Sequence, residues 1–351
     1  MRILHITEKL GVGGTEILLS NTIPELTEFD HAIVYLAGRD NYQLPIFNKY
    51  PLFYLDHTRR SALFRSVIRL RRILWEYKPD IIHAHSFLAS IISRLAKGKN
   101  TRLITTIHSV LSKDAFARSK FSLFVERLTS NMQDDLIAVS KVALDDYLQF
   151  VPFRGSRYVL YNFIPHKFSD ASLRSDYETR ESLPVRCVAV GGLKTVKNYL
   201  YLLDSFSLLP KGFFTLDVIG DGALRDDLEL RIIKQDLPVT ILGNRQNVDE
   251  LLCDYEIFLQ ASNYEGFGMA VCEGILSGLI PVLSDIPAHR EITDNKAHYF
   301  ELNNPMSLVS TLMCLKNRNG LKHLTSCRDY VSSITSPISY FQRLRDIYNL
   351  Q

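Results

Sequence analysis

The chain has 351 residues, of which 46% are hydrophobic and 23% are charged, and its formal net charge is +3. This length predicts two domains of ordinary size, and the composition is that of a soluble globular enzyme. No apolar run reaches the roughly 18 residues that a membrane-spanning helix needs. All five cysteines lie in the second half without a Cys-x-x-Cys pair. We therefore expect a reducing, cytoplasmic location and exclude a disulfide framework.

The charge is unevenly spread along the chain. Residues 1–165 carry 22 lysines and arginines against 15 acidic residues, whereas residues 166–351 carry 19 against 23. A cationic first half suits an anionic acceptor or the inner surface of a membrane. The alternative is a solvated basic surface without a partner. We expect no nucleic-acid partner.

Strands and helices alternate along the whole chain, which predicts βαβ units and parallel sheets. The first residues enter a strand directly and lack the layout of a signal peptide. In the first half the predicted strands are Arg2–Ile6, Ala32–Leu36, Leu52–Leu55, Ile81–Ala84, Leu103–Ile107, Leu136–Val139 and Tyr158–Leu160. In the second half they are Cys187–Val190, Thr215–Ile219, Val239–Leu242, Ile257–Gln260 and Ile280–Leu283.

A glycine-rich turn follows the first strand of each half. Gly11-Val-Gly13-Gly14 opens a helix, and glycines there let the backbone approach a phosphate, although a purely structural turn is the alternative. The pattern is not the Gly-x-Gly-x-x-Gly fingerprint, which disfavours a nicotinamide cofactor. Gly191-Gly192 is followed by Lys194 and Lys197, and a lysine at a helix start can meet a diphosphate as a point charge.

Histidines stand at the carboxyl ends of two predicted strands of the first half. His83 and His85 end one strand and His108 ends the next, at the edge where open α/β sheets bind ligands. A zinc site at His83 and His85 is an alternative, but no acidic partner is near in sequence. The stretch between Arg59 and Arg72 is a further basic feature, with six arginines separated by apolar or small residues. At helical spacing Leu63, Val67, Leu70 and Leu74 form one face of this stretch, and Arg65, Arg69 and Arg72 form another.

The segment from Glu265 to Glu273 carries the most information in the chain. It follows a short apolar strand, contains Gly266 and Gly268, and continues with helical spacing until Gly278 and Pro281. A helix N-terminus after such a turn offers unpaired N–H groups to a diphosphate. Glu265 is placed to accept hydrogen bonds from a transferred sugar, and Glu273 from a ribose. Two surface glutamates on an ordinary helix are the alternative.

The segment Ser262–Glu291, with Glu265, Glu273, Gly278 and Pro281 at these spacings, resembles the signature of the family-four retaining glycosyltransferases. The resemblance runs the whole length of the chain and implies the α/β GT-B fold, with two Rossmann-like domains facing across a cleft. The implied acceptor-side domain comprises residues 1–165 together with a C-terminal helix at about 338–351. The implied nucleotide-sugar domain comprises residues 166–337, beginning in the polar stretch His166–Pro184.

The resemblance also assigns roles to residues. It implies catalytic roles for Glu265, Lys197 and His108, and acceptor-side roles for His83, His85 and Ser140, although the two neighbouring histidines also fit simple packing. It implies donor contacts for Gly13, Gly14, Gly191, Gly192, Lys194, Gly220, Gly243, Val248, Gly266, Phe267, Gly268, Met269, Ala270 and Glu273. Asn162, Asp285 and Glu291 match weaker positions of the pattern. Many members carry an arginine where Gly192 stands, so either Lys194 or backbone N–H groups must replace it.

The predicted reaction is transfer of a sugar from a nucleotide-diphosphate sugar, with a uridine or a guanosine base, to a hydroxyl of a glycan or lipid-linked glycan. The family implies front-face attack with retention and cell-envelope polysaccharide as the product. No Asp-x-Asp pair is present, so we expect neither a metal nor another cofactor. The alternatives are a nucleotide-sugar epimerase of related fold and a degenerate protein that binds sugar nucleotides without catalysis. The Arg59–Arg72 region predicts contact with an anionic membrane at the inner face of the cell membrane.

Overall fold

The computed structural model describes residues 1–11, 13–38, 44–57, 62–114, 119–168, 184–316 and 324–350. The chain forms two compact units, Met1–Asn162 with Ile338–Gln351, and Phe163–Pro337. The divisions predicted from the sequence fall after residues 165 and 337. The predicted linker lies outside the described residues, apart from the 3-10 turn His166–Phe168 and the last residue, Pro184.

The first unit is built on a parallel sheet of seven strands. These strands are β1 (Arg2–Thr7), β2 (Asp30–Tyr35), β3 (Leu52–Tyr54), β4 (Ile81–Ala84), β5 (Arg102–Ile107), β6 (Asp135–Ala138) and β7 (Ser156–Val159). Their order in the sheet is β3-β2-β1-β4-β5-β6-β7. The order reverses between β1 and β4, which is the Rossmann arrangement, and ligands bind beyond the carboxyl ends of strands at such a reversal.

The described residues before the second unit form five α-helices. They are α1 (Gly14–Thr22), α2 (Leu63–Tyr77), α3 (Phe87–Ala96), α4 (Lys120–Thr129) and α5 (Lys141–Phe150). Three of them begin at a serine whose hydroxyl accepts a hydrogen bond from a backbone N–H of the first turn: Ser86, Ser119 and Ser140. Such caps satisfy donors that the helix itself leaves unpaired.

The second unit repeats the same topology with six strands. They are β8 (Val185–Val190), β9 (Phe214–Ile219), β10 (Val239–Gly243), β11 (Ile257–Gln260), β12 (Ile280–Ser284) and β13 (His298–Phe300). The sheet order is β10-β9-β8-β11-β12-β13, so the reversal lies between β8 and β11. The helices of this unit are α6 (Tyr199–Leu208), α7 (Arg225–Gln235), α8 (Val248–Leu252), α9 (Met269–Leu276), α10 (Pro287–Thr293), α11 (Pro305–Lys316) and α12 (Leu324–Ile334).

The last helix, α13 (Pro337–Asn349), packs on the first unit except for its first residue. Its side chains Phe341, Leu344, Ile347 and Tyr348 are all buried. The guanidinium of Arg102 donates to the carbonyl oxygen of Ile347 at 2.7 Å. A cation at this end of a helix satisfies carbonyls that the helix leaves unpaired. In the described part of the chain, no helix has the length and apolar content to cross a membrane.

Candidate active site

The strand reversal of the second sheet brings together two segments that are distant in sequence. The chain leaving β8 carries Lys197, and the chain leaving β11 carries Glu265. The ammonium of Lys197 lies 2.6 Å from Oε1 of Glu265. The backbone N–H of Asn263 donates to the carbonyl of Val196 at 2.9 Å and ties the two segments together. The predicted pair Lys197 and Glu265 is therefore one ionic cluster at the edge where ligands bind.

Glu265 is held as a carboxylate with one oxygen available. Its Oε1 also accepts from the hydroxyl of Ser262 at 2.6 Å, and Gln260 in turn donates to that hydroxyl at 2.7 Å. Burial raises the pKa of Glu265, but the Lys197 ammonium and the Ser262 hydroxyl outweigh burial and hold this pKa below its ordinary value. Within the described residues Oε2 has no hydrogen bond, and the side chain is 14% exposed.

Helix α9 begins immediately after this cluster. Gly268, its N-cap, has a φ of 106°, a conformation that favours glycine. The N–H groups of Val271 and Cys272 donate to the carbonyl of Gly268, while those of Met269 and Ala270 have no acceptor among the described residues. Two N–H groups at a helix N-terminus form an anion site when they face a ligand. Phe267 is buried beneath this turn.

Gly274 explains why α9 needs small residues. A Cβ at this position would collide with the ring of Phe258 on β11. The helix therefore lies close to the sheet, and its N-terminus is fixed relative to β11. The sequence predicts the small residues but not this contact.

Glu273 lies in the second turn of α9. Burial raises the pKa of Glu273 to about 7, against the opposing attraction of Lys167 and Lys197. Lys167 forms an ion pair with Asp249 at 2.7 Å, and the sequence analysis assigned no role to either residue. Glu273 thus changes its charge in the neutral pH range.

The glycines at the ends of β8, β9 and β10 support one another. A Cβ on Gly220 would collide with the backbone of Gly191, and the N–H of Gly220 donates to the carbonyl of Gly243 at 2.9 Å. These glycines have positive φ values, so their packing explains their presence whether or not they contact a ligand. Val248, the last predicted contact of this region, begins α8.

Gly192 differs from these glycines. A Cβ placed there would have ordinary contacts, the nearest being Cε of Lys194 at 3.5 Å, and its φ is not positive. The structure therefore has room for a Cβ at this position, where the family resemblance leads one to expect an arginine. Lys194 is exposed and has no ion-pair partner among the described residues.

The strand reversal of the first sheet borders a pocket of about 270 Å³. Its walls include Thr15, Glu16, His85, His108 and Ser109. The turn before α1 contributes the predicted pair of glycines. A Cβ on Gly13 would collide with the carboxylate of Glu16, whereas one on Gly14 would meet open space. The Glu16 carboxylate thus lies beside Gly13, close to where a phosphate is predicted.

The histidines of this unit form a connected group. Nε2 of His108 lies 3.5 Å from Nδ1 of His85, Nε2 of His85 lies 3.2 Å from Nδ1 of His5, and Nε2 of His5 lies 3.0 Å from Nδ1 of His31. Desolvation lowers the pKa of His108 to about 4, and burial also lowers the pKa of His5, His31 and His85. These side chains are therefore neutral near pH 7.

His83 has a packing role. Its Nδ1 lies 2.7 Å from the hydroxyl of Tyr348 and its Nε2 lies 2.7 Å from the hydroxyl of Thr106. One nitrogen each of His5, His83 and His85 lie within 4.8 Å of one another, a set that has the ligand types of a metal site. Both ring nitrogens of His83 already have hydrogen-bond partners.

Ser140, expected on the acceptor side, is the N-cap of α5. It is fully buried, and its hydroxyl accepts from the N–H of Ala143 at 3.0 Å as the cap of α5. Capping of α5 accounts for a serine at this position, and the acceptor-side role of Ser140 stays a prediction.

Three further buried histidines were missed. His5 and His31 stand inside β1 and β2, where a single sequence offers no signal that distinguishes them from packed polar residues. His289 is fully buried, its Nδ1 lies 2.9 Å from the carbonyl of Ser284, and its Nε2 has no partner among the described residues. Its proximity to Glu265 is visible only in the fold, where the Glu265 carboxylate opposes the burial that lowers the pKa of His289 to about 4.

Two family profiles match the chain in tandem. The profile described as Glycosyltransferase Family 4 matches residues 12–168, and the one described as Glycosyl transferases group 1 matches residues 184–317. A UDP-Gal:alpha-D-GlcNAc-diphosphoundecaprenol alpha-1,3-galactosyltransferase of Escherichia coli is 23% identical over 81% of this chain and 79% of its own. An alpha-1,4-N-acetyl-D-galactosaminyltransferase of Campylobacter jejuni, whose name gives an undecaprenol-linked glycan as its acceptor, is 27% identical over 78% of this chain and 77% of its own.

Solved structures agree in fold. The superposition on HepE of Anabaena, crystallised with UDP, covers 99% of each chain, with a TM-score of 0.83 and 18% sequence identity. The lipopolysaccharide outer core galactosyltransferase WaaB covers 99% of both chains with a TM-score of 0.76 and 17% identity. The two sheets described above are thus those of the GT-B fold, as predicted.

Proposed function

Because this chain belongs to the family-four glycosyltransferases of GT-B fold, we propose that it transfers a sugar with retention, and without a metal, from a nucleotide-diphosphate sugar to a hydroxyl of a glycan or lipid-linked glycan. The observation that carries the proposal is the cluster of Lys197, Ser262 and Glu265 beside the start of α9. The family match favours transfer over the epimerase alternative. The intact ionic cluster argues against a degenerate binding protein.

The two charged residues of the cluster are proposed to bind different parts of the donor, Glu265 the sugar and Lys197 the diphosphate. Glu265 is an ionised carboxylate whose Oε2 is open, so it accepts hydrogen bonds from the hydroxyls of the sugar. Lys197 and the N–H groups of Met269 and Ala270 supply positive charge for the diphosphate. Glu273, one turn further along α9, is positioned to accept from the ribose.

Transfer follows from charge stabilisation and positioning. As the sugar–phosphate bond breaks, negative charge grows on the leaving phosphate oxygen, and fixed donors lower the barrier most where charge develops. The acceptor hydroxyl attacks the same face of the sugar and loses its proton to that phosphate oxygen. The anomeric configuration is then retained without a protein nucleophile.

UDP is the proposed leaving nucleotide, and cell-envelope polysaccharide is the proposed product. The matched galactosyltransferase of Escherichia coli uses UDP-Gal and an undecaprenol-linked acceptor by its name. A capsular polysaccharide glycosyltransferase of Staphylococcus aureus is 23% identical over 99% of this chain. Both support a lipid-linked or capsular acceptor here.

The test is product analysis with UDP- and GDP-sugars labelled in the sugar. We expect free sugar from UDP donors without an acceptor, and a glycoside of retained configuration when lipid-linked acceptors are added. A converted nucleotide sugar would instead establish the epimerase. If no donor gives either product, the alternative of a protein that binds sugar nucleotides without catalysis would be supported.

Metal independence has its own measurement. We expect turnover to survive EDTA, because the sequence has no Asp-x-Asp pair and the cluster supplies its own cation. Loss of transfer in EDTA, with recovery in magnesium or manganese, would overturn this part of the proposal.

We further propose that α2 contacts an anionic membrane. Its exposed stripe contains Phe64, Ile68 and Trp75, which are 76%, 50% and 76% exposed, while Val67 and Leu70 are buried. Arg69 is partly engaged by Asp56 and Arg72 by Glu76, and large apolar side chains lie between the arginines. Arg59 and Arg60 lie outside the described residues.

Such a helix has the composition of one that lies in the membrane interface. Apolar side chains enter the boundary of the lipid, Trp prefers that depth, and each nearby arginine adds about 1 kcal/mol with anionic lipid. An enzyme that extends a lipid-linked glycan at the inner face of the membrane would be held near its acceptor in this way.

Flotation with vesicles rich in anionic lipid tests the contact. We expect binding at low salt, weaker binding at high salt, and loss of binding in Phe64→Ser with Trp75→Ser. The control is Ile233→Ser, which removes a side chain of similar exposure, 77%, from the second unit. Replacing Arg65, Arg69 and Arg72 by glutamine should remove the salt-sensitive part. Binding that survives the serine pair would contradict the contact.

A further inference from the structure

Four histidines of the first unit lie in a row across four adjacent strands. His31 is in β2, His5 is in β1, His85 follows β4 and His108 follows β5. The sheet order β2-β1-β4-β5 is the order of the row. Successive rings are joined nitrogen to nitrogen at 3.0, 3.2 and 3.5 Å. In each link, Nε2 of one histidine faces Nδ1 of another.

One end of the row is fixed by the backbone. Nε2 of His31 lies 2.9 Å from the carbonyl oxygen of Leu26, which can only accept. A neutral histidine has one N–H and one bare nitrogen, so Nε2 of His31 must carry the proton and Nδ1 must accept. His5 then donates from Nε2 to His31, and His85 donates from Nε2 to His5. His108 in turn donates from Nε2 to His85.

The other end of the row is the pocket at the strand reversal. His108 is partly exposed and lines that pocket. Its Nε2 is used by His85, and its Nδ1 has no hydrogen bond among the described residues. If Leu26 sets the direction of hydrogen-bond donation along the row, Nδ1 of His108 carries no proton. It can then accept a hydrogen bond from solvent or from a ligand.

We propose that His31, His5 and His85 are positioning residues that fix His108 as the Nε2–H tautomer, so that its Nδ1 accepts a hydrogen bond from a hydroxyl of the bound substrate. The inference rests on the proposed function only for the identity of that substrate. The opposite polarity would place two acceptors against each other at Leu26. The tautomer is thus set by a carbonyl far from the pocket.

The polarity depends on every ring being neutral. Burial opposes the charged form at each member of the row. His31 faces the acidic residues Glu28 and Asp30, which oppose that effect of burial. Protonated His31 would donate from both nitrogens and reverse the row, so the arrangement holds where His31 is neutral.

Nitrogen NMR on protein labelled with ¹⁵N-histidine tests the tautomer directly, since long-range proton correlations distinguish a bare ring nitrogen from a protonated one. The His108 signal is assigned by its loss in His108→Gln. We expect Nε2–H at His108 at pH 7.5 in the native protein, and a mixture of tautomers in His31→Phe. His31→Asn should restore the single tautomer, because its amide oxygen stands as many bonds from the backbone as Nδ1 does.

The control is Val34→Ala, which removes buried side-chain volume from the same strand. It should lower the melting temperature without changing the His108 tautomer. Nδ1–H at His108 in the native protein, or an unchanged tautomer in His31→Phe, would overturn the proposal. So would one stoichiometric metal ion per chain, detected by elemental analysis and bound by His5, His83 and His85.

Turnover separates this inference from the proposed function. His31→Phe should lower kcat/KM for sugar transfer in proportion to the His108 that leaves the Nε2–H tautomer, about twofold for an equal mixture, with UDP affinity unchanged. His31→Asn should recover most of it. A mixed tautomer with unchanged turnover would confirm the row and refute the substrate contact of His108.

Discussion

The two units have the same strand order at their reversals but opposite chemistry beside them. In the second unit the site is ionic, with Lys197 and Glu265 joined at 2.6 Å. In the first unit it is neutral, with His108 at the end of a row of histidines that burial keeps uncharged. The shared topology therefore provides the location, and the residues at the strand ends decide the chemistry.

The difference suits two kinds of ligand. An ionic site with a helix N-terminus stabilises a diphosphate, whose charge increases as the sugar leaves. Neutral imidazoles and hydroxyls instead orient uncharged sugar hydroxyls. Each unit should accordingly respond to a different kind of substitution, and charge removal should matter most in the second.

The largest expected effect is that of Glu265→Ala. It removes the open carboxylate and leaves the Lys197 ammonium without its partner. We expect turnover to fall by a factor that corresponds to about 1.5–3 kcal/mol for one charged hydrogen bond, while UDP affinity changes much less. Steady-state kinetics and calorimetry with UDP measure the two quantities.

Glu265→Gln is the matched control. It keeps the length of the side chain and an acceptor for Ser262 but not the charge, so its turnover should lie between those of the native enzyme and the alanine variant. If UDP affinity falls as much as turnover in Glu265→Ala, the residue serves the nucleotide, and the division between sugar and diphosphate described above breaks down.

How much the sequence predicts also differs between the two sites. Lys197, Glu265 and Glu273 lie in short motifs. Local pattern places the first two after strands and predicts the start of α9, which carries Glu273. All twelve predicted strands are present with ends shifted by at most two residues, and β13, with three residues, was not predicted.

Contacts across the sheet were beyond the sequence. His5 and His31 join His108 only because β2, β1, β4 and β5 are neighbours, and strand neighbours far apart in sequence are set by the whole fold. The apolar side chains on the outer side of α2 were not predicted, for a related reason. Helical spacing gives two faces, but Ile68 and Trp75 are outward because the sheet lies on the other side.

The next effect is a gain at the ionic site. Gly192→Arg should raise affinity for UDP by about tenfold, close to one charge-assisted hydrogen bond. The Cβ fits without a clash, and the side chain would add a second cation to Lys197. Calorimetric titration with UDP measures the gain.

Gly220→Arg is the contrasting substitution, because a Cβ there would collide with the backbone of Gly191. It should destabilise the second unit and lower affinity. If Gly192→Arg leaves affinity unchanged, the diphosphate does not lie beside Gly192, and Lys194 or the α9 terminus alone would hold it.

The smallest effect concerns Glu273. Burial raises the pKa of Glu273 to about 7, above the ordinary value of 4.5, so the folded chain binds more protons than the unfolded chain between these pH values. Its contribution to stability is therefore present below about pH 4.5 and is lost as the pH rises to 7. Glu273→Gln removes the buried charge, so we expect its melting temperature to exceed that of the native chain by several degrees at pH 8.

The same carboxylate links stability to donor binding. A ribose hydroxyl donates more strongly to the ionised form, so native affinity for UDP should fall several-fold between pH 8 and pH 6, whereas Glu273→Gln should bind weakly at both. Asp285→Asn is the control, since Asp285 is exposed and paired with Arg290 at 2.5 Å, an arrangement that lowers the pKa of Asp285. It should leave the pH dependence of binding between pH 6 and pH 8 intact. An affinity for UDP that does not change with pH in the native chain would mean that the ribose does not reach Glu273, and that its buried charge only costs stability.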